Sequence, residues 1–317
     1  MNSYVHTSKV GTIQGSILGP ILYSLFVSPL LDLTYLTLFA DDNYIIRSNT
    51  NLEALINDMK LSLEMITKWL KESGLKVNEG KTEVCLFHIR DQPLIEIVVN
   101  NVTIKTRSSM NVLGVQFDSK LQWNTHIQNV KTKLKKALQA IYLIKRYFNN
   151  KELLSIITSN YYSIMYYNAD IWLLPTLSPN LKAQLLAASS APLKIINRNF
   201  SQGVSYDRLH KYYNRATPDQ VTKYRHSLML HKVYNEQNQG SDWVSINFNQ
   251  NFNARQSKIF FFKTNRYKVG NNLMSNRLNI LNRDITYEML NRSFASYKLC
   301  VKEMYLKNSN VYQTNNV

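Results

Sequence analysis

The sequence predicts an α+β fold, sheet-bearing in its front third and helical behind, on three observations. Two β-prone runs, TYLTLFA and NYIIRS, flank Asp41-Asp42. Residues 52–70 then place apolar side chains at a 3.6-residue period. From about 124 to 235 the pattern stays helical. With 317 residues and 44% hydrophobic content the chain can bury a core and hold about two domains.

The elements follow in order. Gln14-Gly15-Ser16-Ile17-Leu18-Gly19-Pro20 reads as a glycine-rich turn opening an apolar helix, where missing side chains let backbone approach a ligand. The apolar run 17–31 holds Pro20 and Pro29 and falls short of the ~20 residues of a membrane span, so it is expected in the core. The polar start, MNSYVHTSKVGTIQ, shows no signal peptide. The two β-prone runs put Asp41 and Asp42 at a hairpin turn. Asp is an ordinary turn residue, so the weight of the pair depends on its surroundings.

Leu52, Leu55, Ile56, Met59, Leu63, Ile66 and Leu70 line one helix face, with Thr50 and Glu53 as a capping box and Gly74 as its stop. Gly74-Leu75-Lys76-Val77-Asn78 and Lys81-Thr82 follow, then a strand over 84–88. IEIVV and VTIK form a hairpin about Asn100-Asn101, a pair suited to positive φ. MNVLGVQF, 110–117, reads as one more strand. A long basic helix occupies about 124–147, Pro175 and Pro179 mark a break, and 181–197 is helical again. Residues 243–283 carry ten Asn with weak periodicity and read partly as loop.

The net charge of +17 is unevenly placed. Residues 1–118 hold ten Lys/Arg against twelve Asp/Glu, whereas 119–317 hold twenty-eight against nine. The windows 119–151 and 243–283 contain no acid at all. A near-neutral front joined to a basic rear points to a polyanionic partner, with Lys131, Lys133, Lys135, Lys136, Lys145 and Arg146 as candidate nucleic-acid contacts. A solvated basic face without a partner is the alternative. Cys85 and Cys300 make neither a disulfide framework nor a zinc spacing, and an intracellular setting, nucleus or cytoplasm, is expected.

Taken together, QGSILGP, FADD, GLKVNEGKT and LGVQFDSKLQW, in that order across residues 11–127, closely resemble the reverse transcriptases of non-LTR (LINE-type) retrotransposons. No one motif would suffice; the ordered set is specific. The resemblance implies a partial polymerase palm over 1–109, an antiparallel sheet with helices, then a primer-grip strand and helical thumb or connection over 110–235. Residues 236–317 form a basic, Asn-rich tail without an assigned role. It implies an RNA template, a DNA primer and deoxynucleoside triphosphates as partners, no membrane, and Mg²⁺ or Mn²⁺ as cofactor. Carried over position by position, Asp41 and Asp42 match the metal-binding pair and Lys81 matches a lysine acting on the leaving pyrophosphate. Gln14, Gly15 and Ser16 match the motif beside nucleotide and template, and Leu113, Gly114 and Val115 match the primer grip.

Two departures stand out. Ile13 replaces the family's usual proline. The family's remaining metal ligand is an Asp several tens of residues before the QGS motif, and none of the thirteen residues before Gln14 is Asp or Glu. Asp32 lies outside the family's pattern. The expectation is therefore a truncated polymerase, inactive alone. A non-catalytic RNA-binding remnant and an element fragment without function of its own stand beside it.

Overall fold

The computed structural model describes residues 11–12, 15–34, 36–87, 95–99, 102–173, 177–196, 204–237, 247–248, 260–261, 284–285 and 287–306. The chain divides into two compact units, Met1–Met110 and Asn111–Val317. No helix among the described residues is long and apolar enough to cross a membrane.

In the first unit, α1 (Gly19–Val27) and the short α2 (Leu30–Leu33) precede the hairpin β1 (Leu36–Phe39) and β2 (Asp42–Ile45). α3 (Leu52–Glu72) follows. The hairpin register, Leu36 opposite Ile45 and Phe39 opposite Asp42, places Leu36, Leu38 and Ile45 on one face. That face packs on a small cluster of Val27, Leu30, Ile66 and Leu70. Arg47, just past β2, ties the hairpin to α2 and α3: its guanidinium pairs with Asp58 at 3.3 Å and donates to Ser62 Oγ at 2.8 Å and to Thr34 Oγ1.

The α3 cap differs by one residue from the sequence expectation. Asn51, not Thr50, is the N-cap, its side chain accepting the Ala54 N–H at 3.1 Å. Asn and Thr both suit that position, and the backbone entry angle decides between them. At the other end Gly74 has φ +75°, and the Leu75 and Gly74 N–H groups bond Leu70 O and Lys71 O, which is a Schellman motif.

The expectation that 17–31 is core is overturned. Ile17 is 89% exposed, Leu18, Ile21, Leu22, Leu25, Phe26 and Leu31 are exposed too, and among the large apolar side chains of α1 only Val27 is buried. The helix is apolar around its whole circumference, while the first unit's core covers only one edge of it.

A three-stranded sheet completes the first unit. β3 (Val84–Cys85) runs parallel to β5 (Val102–Arg107), and β5 pairs antiparallel with β4 (Glu96–Val99), Val99 opposite Val102. That register fits the two-residue turn expected at Asn100-Asn101, although both residues lie outside the described ones, as do 88–94. The single strand expected over 110–117 is instead two, β6 (Ser109–Val112) and β7 (Val115–Asp118), hydrogen-bonded about Leu113-Gly114. Leu113 at φ +47° and Gly114 at φ +81° cannot continue a strand.

The second unit is built on α4 (Asn124–Ile144), which buries His126, Ile127, Val130, Leu134 and Ile141 along one stripe. Asp118 shapes its entry: its carboxylate accepts the N–H groups of Lys120, Gln122 and Trp123 at 3.2, 2.9 and 2.7 Å, holding Leu121 and Trp123 at positive φ. α5 (Asn150–Ile156), a π-helical turn Ile157–Tyr162, α6 (Ser163–Met165) and α7 (Ala169–Trp172) follow, then α8 (Pro179–Ile196), α9 (Tyr206–Tyr212) and α10 (Pro218–Gln237).

Pro192 lies inside α8 and lacks the N–H that would bond the Ala188 carbonyl. Tyr161 supplies the missing donor, its hydroxyl 2.8 Å from Ala188 O, and Tyr162 donates to Ser189 O at 2.8 Å. The π turn carries both of these consecutive tyrosines, and both are buried. Burial pushes both phenols well above their ordinary pKa, so they remain donors.

Residues from the unassigned tail close the core. α11 (Tyr287–Leu290) packs on α12 (Phe294–Leu306), which lies along α10 with Tyr297, Val301, Tyr305 and Leu306 buried. Tyr297 donates to Ser227 O at 2.9 Å, and His231 Nε2 lies 3.0 Å from Arg292 O. Within 243–283, β8 (Asn247–Phe248) and β9 (Phe260–Phe261) pair antiparallel.

Candidate functional site

The two-residue turn of the first hairpin is Ala40-Asp41, and Ala40 sits at φ +52°. Positive φ at a two-residue loop matches the twist of antiparallel strands, so the turn is tight. It places Asp41 at the tip and Asp42 as the first residue of β2, both exposed. Asp42 lies on the face opposite the packed one, with Thr37, Phe39 and Tyr44, and accepts the Tyr44 hydroxyl at 3.1 Å. Among the described residues Asp41 has no hydrogen-bond or ion-pair partner.

Two adjacent carboxylates with free lone pairs on a packed hairpin suit a hard divalent cation in kind. They do not suit it in number. No group of three His, Cys, Asp or Glu side chains among the described residues is placed to hold a metal, and two-ion chemistry needs more carboxylate oxygen than this pair supplies.

The remaining expected residues are placed as follows. Gln14 lies outside the described residues. Gly15 is exposed at φ +85°, so its backbone conformation alone demands glycine, and Ser16 is half-buried beside it. Gly19, by contrast, is an ordinary buried helical residue. Lys81 ends a 3₁₀ turn, Glu79–Lys81, whose geometry is set by its N–H and the Thr82 hydroxyl both reaching Asn78 O, at 3.1 and 3.0 Å. Its side chain is exposed and makes no ion pair with Asp41 or Asp42.

In the second unit the Leu113-Gly114 turn is braced by two side chains. Asn111 Oδ1 accepts the Gly114 N–H at 3.0 Å, and the Tyr167 hydroxyl donates to Leu113 O at 2.9 Å. A Cβ on Gly114 would meet the Tyr167 ring at 3.4 Å. Val115 is buried beneath the turn. Sequence reasoning matched Leu113 to Val115 to a primer grip within an expected strand, and missed both the turn and Tyr167, fifty-four positions away, for which the sequence carries no local signal.

The candidate basic contacts divide. Lys133, Lys135 and Lys136 are exposed on α4, whereas the Lys131 ammonium is engaged by Gln184 Oε1 at 2.9 Å. Lys145 lies 3.9 Å from the Tyr142 ring centroid and Arg146 4.7 Å from that of Tyr147.

Comparison with known proteins finds similarity over the segment that holds the carboxylate turn. Residues 1–117 match "Reverse transcriptase (RNA-dependent DNA polymerase)". The chain is 25% identical over 138 residues to the "RNA-directed DNA polymerase from mobile element jockey" of Drosophila melanogaster, which covers 40% of this chain and 15% of that protein. It is 24% identical over 138 residues to the "Probable RNA-directed DNA polymerase from transposon X-element" of the same species, 41% of this chain and 15% of the relative. Against the "Retrovirus-related Pol polyprotein from type-1 retrotransposable element R1 2" of Nasonia vitripennis it is 30% identical over 151 residues, 43% of this chain and 36% of the relative. The chain thus spans well under two thirds of these relatives' lengths. No solved structure matches it. The resemblance to non-LTR reverse transcriptases read from the motifs therefore holds at the level of the family, over the front of the chain.

Proposed function

We propose that this chain, whose residues 1–117 match the reverse transcriptase family, is the palm-to-thumb portion of an RNA-directed DNA polymerase of a non-LTR retrotransposon. The observation that carries the reading is the carboxylate pair Asp41-Asp42 raised on a tight hairpin turn inside the matched segment. In this reading Asp41 and Asp42 are metal ligands, and Lys81 assists the leaving pyrophosphate. Gln14, Gly15 and Ser16 lie beside the nucleotide, and Leu113 to Val115 grip the primer end. Asp41 and Asp42 would hold the divalent metal, which would supply activation of a primer 3′-hydroxyl and stabilisation of the departing pyrophosphate.

Residues 1–317 by themselves are proposed not to polymerise, because two carboxylates leave the metal site undercharged. A primer-extension assay on a homopolymer RNA template, with Mg²⁺ or Mn²⁺, tests this. The expected result is no product above background; robust synthesis abolished by Asp41→Asn would establish an active site without the third carboxylate and refute inactivity.

A second reading rests on a different feature, the acid-free α4 with Lys133, Lys135 and Lys136 exposed. In that reading the rear unit grips RNA whether or not the front unit catalyses. Neutralising phosphates gives binding that weakens linearly in log[salt]. RNA affinity measured across a salt series is expected to fall steeply, and a flat dependence or no binding at low salt removes the idea.

A further inference from the structure

The far end of α4 mixes aromatic and basic side chains on its surface. Tyr142, Leu143, Arg146, Tyr147 and Phe148 are all exposed, across the last turn of α4, the 3₁₀ turn Lys145–Tyr147 and the residue after it. Ile141, one position earlier, is buried, so the helix end is anchored while these neighbours face solvent. Apolar side chains exposed singly are ordinary, whereas several exposed together mark a contact surface.

Tyr142 is 58% exposed and Tyr147 68% exposed, although each ring already carries a cation on one face. Lys145 Nζ lies 3.9 Å from the Tyr142 ring centroid. The Arg146 guanidinium lies 4.7 Å from that of Tyr147 and also donates to its hydroxyl. With one face under a cation, exposure of that size leaves the opposite face of each ring open. The two cations are not spent on carboxylates: neither forms an ion pair among the described residues. Glu152, the next acid in the sequence, accepts the Asn149 N–H at 3.0 Å.

Open ring faces beside uncompensated cations suit a ligand that offers flat π-faces and anionic groups together, which a nucleotide strand does. The excess of cations across 119–317 favours a partner charged along its whole length over a peptide with a few carboxylates. We infer that the end of α4 is a stacking platform for unpaired bases of a single-stranded nucleic acid. Tyr142 and Tyr147 each take a base on the open face, and Lys145 and Arg146 counter the flanking phosphates. The strand as partner rests on the RNA-gripping reading above. The selectivity for unpaired bases goes beyond it, because a duplex keeps its base faces inside its own stack.

The test compares the binding of residues 1–317 to a twelve-nucleotide oligouridylate and to a strand of equal length and charge whose riboses carry no base. The parent is expected to bind the base-bearing strand about tenfold more tightly. Tyr142→Ala/Tyr147→Ala should erase that preference. It removes no positive charge, so affinity for the abasic strand and the salt slope should stay as in the parent. Both rings are exposed, so this variant is expected to melt like the parent, and Tyr142→Trp/Tyr147→Trp should keep the preference. Equal binding of the two strands by the parent, or a preference that survives in the alanine variant, would overturn the platform and leave the RNA-gripping reading standing. No binding of either strand at low salt would overturn both. Equal binding of the strands together with tyrosine-dependent binding to phosphatidylserine-containing vesicles would assign the patch to a lipid surface and overturn the proposal.

Discussion

His126 shows how one side chain can couple packing to pH. It is neutral in the fold, wedged between Trp123 and Trp172, and burial holds its pKa at about 4, well below the ordinary 6.5. The unfolded chain therefore binds a proton that the folded chain refuses. Its contribution to stability is complete above about pH 6.5 and is lost as pH falls toward 4, an effect of roughly 3 kcal/mol from this residue. Urea unfolding of the parent and of His126→Phe across pH 4–7 checks it: the parent should lose stability over that window, and the variant should lose less. Equal slopes would remove His126 as the cause. Sequence alone gave no warning, because a lone histidine on a helix face does not announce its neighbours.

At the scale of elements, the legible features were those encoded locally. The period of α3 and its Gly74 stop were readable, and so was the β4–β5 register, because each depends on residues a few positions apart. The cap fell on Asn51 rather than Thr50 since both residues can cap. The 110–117 run concealed a turn because Leu113 is a poor candidate for positive φ; only the braces from Asn111 and Tyr167 hold it there. α8 is the most instructive case. A proline inside a helix ordinarily disfavours it by about 3 kcal/mol or more, yet the helix runs through Pro192 with two tyrosines of the π turn covering the carbonyls of Ala188 and Ser189. Tyr161→Phe should leave the half-buried Ala188 O without its donor, lowering stability by about 1–2 kcal/mol. Thermal and denaturant melts read this directly. In a Pro192→Ala background the backbone N–H returns, so the same Tyr161→Phe change should cost markedly less; an unchanged cost would refute the compensation.

At the scale of the whole molecule, the ordered motifs carried the family resemblance and the charge asymmetry pointed to a polyanionic partner, whereas burial did not follow from hydrophobicity. The apolar run 17–31 looked like core and is mostly exposed, because a helix apolar on all sides needs more neighbours than the first unit supplies. The tail from 236 looked unassignable, yet α12 buries Tyr297, Val301 and Tyr305 at four-residue spacing against α10. The candidate site was legible as a set of motifs, and so was the missing carboxylate before Gln14, while the geometry of the turn is a property of the folded chain. The central claim is that Asp41 and Asp42 form a metal-binding pair that is incomplete in these residues. Paramagnetic line broadening by Mn²⁺, mapped residue by residue on ¹⁵N-labelled 1–317, tests it most directly. The account predicts broadening confined to the Ala40–Asn43 turn, with an affinity of about a millimolar or weaker, and its loss in Asp41→Asn. Broadening centred elsewhere, or undiminished in that variant, would contradict it.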